Sequence, residues 1–129
     1  MNFLPVDEPV TEGQEQVSLH GASVSVPRCD AAAAHVLLGI RPEHVMIDEH
    51  GPLRGQVIAD EYLGSHQVLA VETALGVVRV RASKDAGVAA GTIVGLSFRK
   101  ERTLLYDAAT ERLLPGAAST LSVNGDVHG

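Results

Sequence analysis

The segment Gly39-Ile40-Arg41-Pro42-Glu43-His44-Val45 limits the architecture more than any other part of the chain. Before it, Val36, Leu38 and Ile40 fall on one face of an extended strand; after it, Val45 and Ile47 do the same. Pro42 ends the first run, because its ring fixes φ, removes a backbone donor and forces Arg41 into an extended conformation. Two strands therefore meet at a corner, flanked by the opposite charges of Arg41 and Glu43. Two readings of those charges follow. In one they form an exposed ion pair worth about 0–1 kcal/mol. In the other they are at least half buried and hold two layers together.

Away from the corner the chain reads as short strands separated by turns. Gln16–His20 and Ser23–Val26 predict a small hairpin around Gly21-Ala22, closed by Pro27. Cys29–His35, with Asp30 as N-cap and four alanines, is the one place where a helical turn is expected. Leu53–Leu63 is a long strand, and a strand of that length has to coil or bulge; Gly55 is the place expected to bend it. Gly64-Ser65 turns it into His66–Thr73, and Val77–Ala82 follows with Val78 and Val80 on one face and Arg79 and Arg81 on the other. Thr92–Phe98 is a further strand, and Thr103–Tyr106 pairs with Leu113-Leu114 across a turn held by Asp107. The pattern is all-β, about ten short strands with at most one short helix, in the spacing of a sandwich or barrel. Residues 1–15 carry Pro5, Pro9, Gly13 and several acids, and read as a surface connector. Residues 16–114 form the folded domain, and the Gly, Ala, Ser and Asn content of 115–129 predicts a disordered tail.

Composition removes several function classes. The net charge is −6 and no segment forms a basic stripe, while Phe3, Tyr62, Phe98 and Tyr106 are the only aromatic residues. A single-strand nucleic-acid groove needs positive charge and stacking rings, so nucleic acid is not an expected partner. One cysteine excludes an internal disulfide and fits a reducing compartment. No apolar run approaches the roughly 20 residues that span a bilayer, and the amino end has no secretory pattern, which points to the cytoplasm without direct membrane insertion.

Catalytic chemistry finds little support. Gly87–Gly91 lacks the following Lys-Ser or Lys-Thr of a phosphate loop, so no ATPase activity is expected of this chain alone. His44, Asp48 and His50 flank one turn, but their spacing matches no familiar closed metal site. Cys29 with His35 would need a depressed thiol pKa and a positioned imidazole to act as nucleophile and base, and Cys29 reads better as a buried small residue. Asp60-Glu61 and Asp48-Glu49 are sequence neighbours, which point to opposite faces of a strand and cannot flank one substrate.

The corner and four other segments carry a resemblance. Leu38–Val45 resembles the "GIRPEH" signature of the C-terminal TOBE domain in ATP-binding subunits of ABC importers of the maltose and glycerol-3-phosphate type. Met1-Asn2-Phe3-Leu4 is similar to that family's "MNFL", Glu61-Tyr62-Leu63-Gly64 to its "E-x-L-G", Gly91–Phe98 to its "G-x-x-V-x-L-x-F", and Leu105–Thr110 to its "L-F-D-x-x-T". The likeness covers Met1 to about Leu114 in the family's order. It implies an OB-type barrel, with ATP and magnesium bound by a preceding nucleotide-binding domain and no cofactor in this part. Implied partners are a second copy, transmembrane permease subunits reached through the other domain, and in some members a regulatory protein; the implied role is regulation and dimerisation at the cytoplasmic face of a membrane. The interface candidates are Arg41, Pro42, Glu43, His44, Glu61, Leu63, Gly64 and Ser65. Molybdate-binding relatives of this fold suggest small-ligand binding as the alternative, the ligand being an oxyanion such as molybdate, with Ser65, Ser83, Lys84, Thr92 and Ser97 as donors, or a sugar. Three departures stand out: His66 where an acid is usual, Tyr106 for phenylalanine, and Glu111 where glycine is common, which implies an altered final turn.

Overall fold

The computed structural model describes residues 1–116, so the tail expected from residue 115 lies almost wholly outside the described residues. Among the described residues eleven strands are present: β1 (Asn2–Pro5), β2 (Gln16–Leu19), β3 (Ala22–Ser25), β4 (Val36–Ile40), β5 (Val45–Ile47), β6 (Leu53–Leu63), β7 (His66–Thr73), β8 (Gly76–Ser83), β9 (Ile93–Phe98), β10 (Leu104–Asp107) and β11 (Arg112–Leu113). They form a four-stranded sheet in the order β1-β4-β10-β11, the β2-β3 hairpin, and a five-stranded sheet in the order β5-β9-β6-β7-β8. The two edge strands of the five-stranded sheet, β5 and β8, also approach each other, so that sheet curls back on itself.

The corner is the joint between the larger sheets. β4 belongs to one and β5 to the other, and the three residues between them form a 3-10 turn, Pro42–His44. Arg41 is extended at φ −76°, ψ 150°, as a residue before proline must be, and its carbonyl accepts from the His44 amide at 3.0 Å. Val36, Leu38 and Ile40 all point into the core, with Leu38 and Ile40 fully buried. Val45 joins them, whereas Ile47 emerges at the surface.

Gly39 is buried for a different reason. It lies opposite Phe3 on β1 and Leu104 on β10, and a Cβ here would meet Tyr106 Cε2 at 2.7 Å and Phe3 Cε1 at 3.4 Å. The two rings pack edge to face over this bare backbone, 5.5 Å apart and inclined by 75°.

Three expectations need correction. Residues 1–15 are more than a surface connector: β1 pairs with β4 along its whole length, and Leu4 and Val10 are buried in the core. Pro5 and Pro9 concealed this, yet an edge strand tolerates proline because one side of it needs no donors. Second, Cys29–His35 forms no helical turn; Cys29 and Ala33 make isolated bridges to Gly116 and Val10. Four alanines favour a helix, but so short a segment has no stability without a packing partner, and the bridges win. Third, β6 bends by a register shift between Val57 and Ala59, not at Gly55. Gly55 instead allows close approach, since a Cβ there would lie 2.4 Å from the Glu72 carbonyl oxygen.

Glu111 also departs from expectation. Its φ of +60° places it in the left-handed region, with its amide donating to Asp107 O at 2.7 Å. The turn keeps a shape that suits glycine, and the glutamate accepts it.

Candidate functional site

The corner residues sit on the surface. Arg41 and Glu43 are exposed, Pro42 and His44 half-buried, and no carboxylate lies within 4.0 Å of the Arg41 guanidinium among the described residues. The two layers are held by the chain passing between them and by packing, with no ion pair at this corner. Glu43 is held below the usual carboxylate range first by its own backbone amide and then by His44, Arg41 and Arg81, against the opposing effect of burial. Burial pushes the His44 imidazole below its ordinary value, and Arg102, Arg99 and Arg41 add to this against the attraction of Glu43. Its Nδ1 is buried without a hydrogen-bond partner among the described residues.

The second candidate group lies at the tip of the β6-β7 hairpin. Leu63 pairs with His66 across the Gly64-Ser65 turn, and Gly64 has φ +73°. Beyond its bulge β6 leaves the rest of the sheet: β9 pairs with it only from Leu53 to Gln56, so the outer edge from Ala59 to Leu63 has no neighbouring strand among the described residues. Here Ile58 is 48%, Tyr62 62% and Leu63 46% exposed. An unpaired edge with two large apolar side chains exposed on it, and a third beside it at the bulge, is unusual for a surface that meets only water.

The structure places the two groups two strands apart. Glu61 is opposite Val68 on β7, which is opposite Arg81 on β8, and the Pro42–His44 turn packs against β8. The corner is polar; the hairpin tip carries the apolar surface.

The remaining candidates are scattered. Asp48 accepts from the His50 amide at 3.0 Å, while the His50 imidazole lies 3.2 Å from exposed Glu49. Among the described residues no three His, Cys, Asp or Glu side chains are grouped to hold a metal ion. Cys29 is buried and directs its Sγ to the Ala31 carbonyl at 3.1 Å, and His35 is exposed. Of the oxyanion candidates, Ser83 lies opposite His66, near Ser65, and accepts from the Asp85 amide, whereas Ser97 is on β9 opposite Met46. They do not converge on one point.

One structural position escaped the sequence reading. Asn2 is 8% exposed; its Nδ2 donates to the Arg79 carbonyl and its Oδ1 accepts from the Arg79 amide, each at 2.9 Å. The side-chain amide acts as an extra peptide unit on β8 and ties the entering chain to the second sheet. The signal available was its spacing two residues before Leu4, which puts both on one face of a strand, whereas the polarity of asparagine alone assigns it to solvent.

The family model for the TOBE domain matches residues 38–105. Over 72 residues, 54% of this chain, the sequence is 40% identical to the sn-glycerol-3-phosphate import ATP-binding protein UgpC of Ruegeria pomeroyi. That stretch is 18% of the relative, so the chain spans less than a fifth of its length. Among solved structures, the cytoplasmic molybdate-binding protein ModG with molybdate bound superposes at a TM-score of 0.62, covering 81% of this chain and 94% of that chain. Sequence identity is 14%, so the likeness is one of fold.

Proposed function

This chain belongs to the TOBE domain family, and from that premise we propose that it is the C-terminal regulatory and dimerisation domain of an ATP-binding subunit of an ABC importer. The observation that carries the reading is the 40% identity to the glycerol-3-phosphate importer's ATP-binding protein. Sugar or glycerol phosphate is the cargo class this favours. The domain itself is not a catalytic one; ATP and magnesium belong to a nucleotide-binding domain preceding it. The assembly is peripheral to the membrane on its cytoplasmic side, and no helix among the described residues is long and apolar enough to cross a bilayer.

The role is mechanical. A contact that persists while catalytic domains open and close keeps them at high effective concentration and favours neither state. The β6-β7 tip supports this role, because its free edge and exposed Ile58, Tyr62 and Leu63 suit a second copy. Two measurements test the proposal. The coding sequence upstream of Met1 should encode a nucleotide-binding domain. Leu63→Glu should weaken self-association in sedimentation without lowering the melting temperature; unchanged association of this variant removes the tip from the contact.

The fold shared with ModG favours a second reading, oxyanion binding. Molybdate should then raise the melting temperature progressively with concentration. A flat response would leave the regulatory reading alone.

A further inference from the structure

The two 3-10 turns found among the described residues lie side by side. The Arg99 amide donates to His44 O at 3.1 Å, linking Pro42–His44 to the second turn, Lys100–Arg102, which is closed by the Arg102 amide donating to Arg99 O at 3.0 Å. Five exposed cations result: Arg41, Arg99, Lys100 and Arg102 from the turns, and Arg81 from β8, against which the first turn packs. These are half of the 10 lysines and arginines in a chain of net charge −6. None has a carboxylate within 4.0 Å or a side-chain hydrogen bond among the described residues; the two ion pairs found there are Arg28 with Asp30 and Glu49 with His50.

Their arrangement carries an electrostatic cost. β4 and β10 are antiparallel neighbours with Gly39 opposite Leu104, and the two chains run on from there to Arg41 and Arg102 at the same end. Like charges facing each other across neighbouring strands destabilise a sheet. Burial and the nearby Arg102, Arg99 and Arg41 all push the His44 imidazole below its ordinary value, which disfavours one more positive charge beside them. Glu43 and Glu101 are the carboxylates within the two turns, which leaves a local excess of positive charge.

We infer that the paired turns form a docking surface for an acidic polypeptide segment of a partner protein. Guanidinium groups fork onto carboxylates in two-point contacts, and several arginines on two rigid turns can engage successive acidic side chains. Charge complementarity favours a short segment over an extended polyanion. Glu43 and Glu101 lie among the cations, and the rest of the chain, strongly negative, would repel a DNA duplex or an anionic membrane laid across it. None of the aromatic residues lies within either turn, so bases would find no stacking platform. This surface is independent of the importer reading and lies away from the hairpin tip.

The test uses the full 129-residue chain and a fluorescein-labelled Asp/Glu-rich peptide of about a dozen residues, followed by anisotropy, with a neutral Gln/Asn peptide as reference. Binding should weaken about tenfold between roughly 50 and 200 mM salt. Arg41→Gln with Arg102→Gln should weaken it by at least about tenfold, while Arg54→Gln with Arg112→Gln leaves it unchanged. Because the first pair removes like charge, its melting temperature should stay level or rise, which a structural role for these arginines would not produce. Should that pair fail to fold, Arg99→Gln with Lys100→Gln should show the same loss of binding. The proposal is overturned if the acidic peptide binds no better than the neutral one at low salt, or if both double variants lose binding equally. Tighter binding to duplex DNA or phosphatidylglycerol vesicles than to the peptide overturns it as well.

Discussion

Replacing Asn2 with alanine removes both hydrogen bonds that join the first strand to β8 and leaves the Arg79 amide and carbonyl without partners at a largely buried seam. A neutral hydrogen bond contributes about 0.5–1.5 kcal/mol net, and a buried group left unpaired costs about 1–3 kcal/mol. Water reaches part of this seam, so the sum should be about 2–3 kcal/mol. For a domain of this size each kcal/mol lowers the melting temperature by about 4 °C, giving a drop of about 8–12 °C. Urea unfolding followed by circular dichroism should show the midpoint moving with little change in slope, because the core residues Leu4 and Ile40 stay buried. Asn2→Asp keeps the acceptor for the Arg79 amide but sets a carboxylate against the Arg79 carbonyl, and should destabilise about as much as alanine. A loss below about 0.5 kcal/mol for Asn2→Ala would show that the two sheets are joined by apolar packing alone, refuting the reasoning.

Other substitutions probe separate features. Glu111→Gly should stabilise by about 0.5–1 kcal/mol by relieving the left-handed backbone at φ +60°, and a lower melting temperature would contradict this. Gly95→Ala places a Cβ 2.2 Å from the Asp48 backbone carbonyl, where no side chain can yield, and should cost more than about 2 kcal/mol in chemical denaturation. Leu38→Ala, at a fully buried position on β4, should cost about 2–5 kcal/mol in the same assay. The His44 pKa is depressed in the folded state, so its contribution is present above the unfolded value near 6.5 and is lost as pH falls below it. Melting temperatures measured from pH 7.5 to pH 5.5, an interval of roughly one unit on either side of that value, should decline more for the parent protein than for His44→Gln; parallel curves would rule the residue out.

Local chemistry alone specified much of this protein. Strand alternation marked Val36, Leu38 and Ile40 as core, Pro42 forced the corner, and the short turns required an all-β chain, because each of these depends only on residues close in sequence. Five ordered motifs added the family. What depended on distant residues was illegible. Nothing adjacent to Asn2 indicates that it meets Arg79, and the prolines of the first segment disguised a strand whose partner lies more than thirty residues away. Likewise, Arg41 reads as half of an ion pair with Glu43 until the fold carries Arg99, Lys100 and Arg102 beside it. Pairing across a sheet is decided by which edges remain free once the core has closed, and only the assembled structure contains that information.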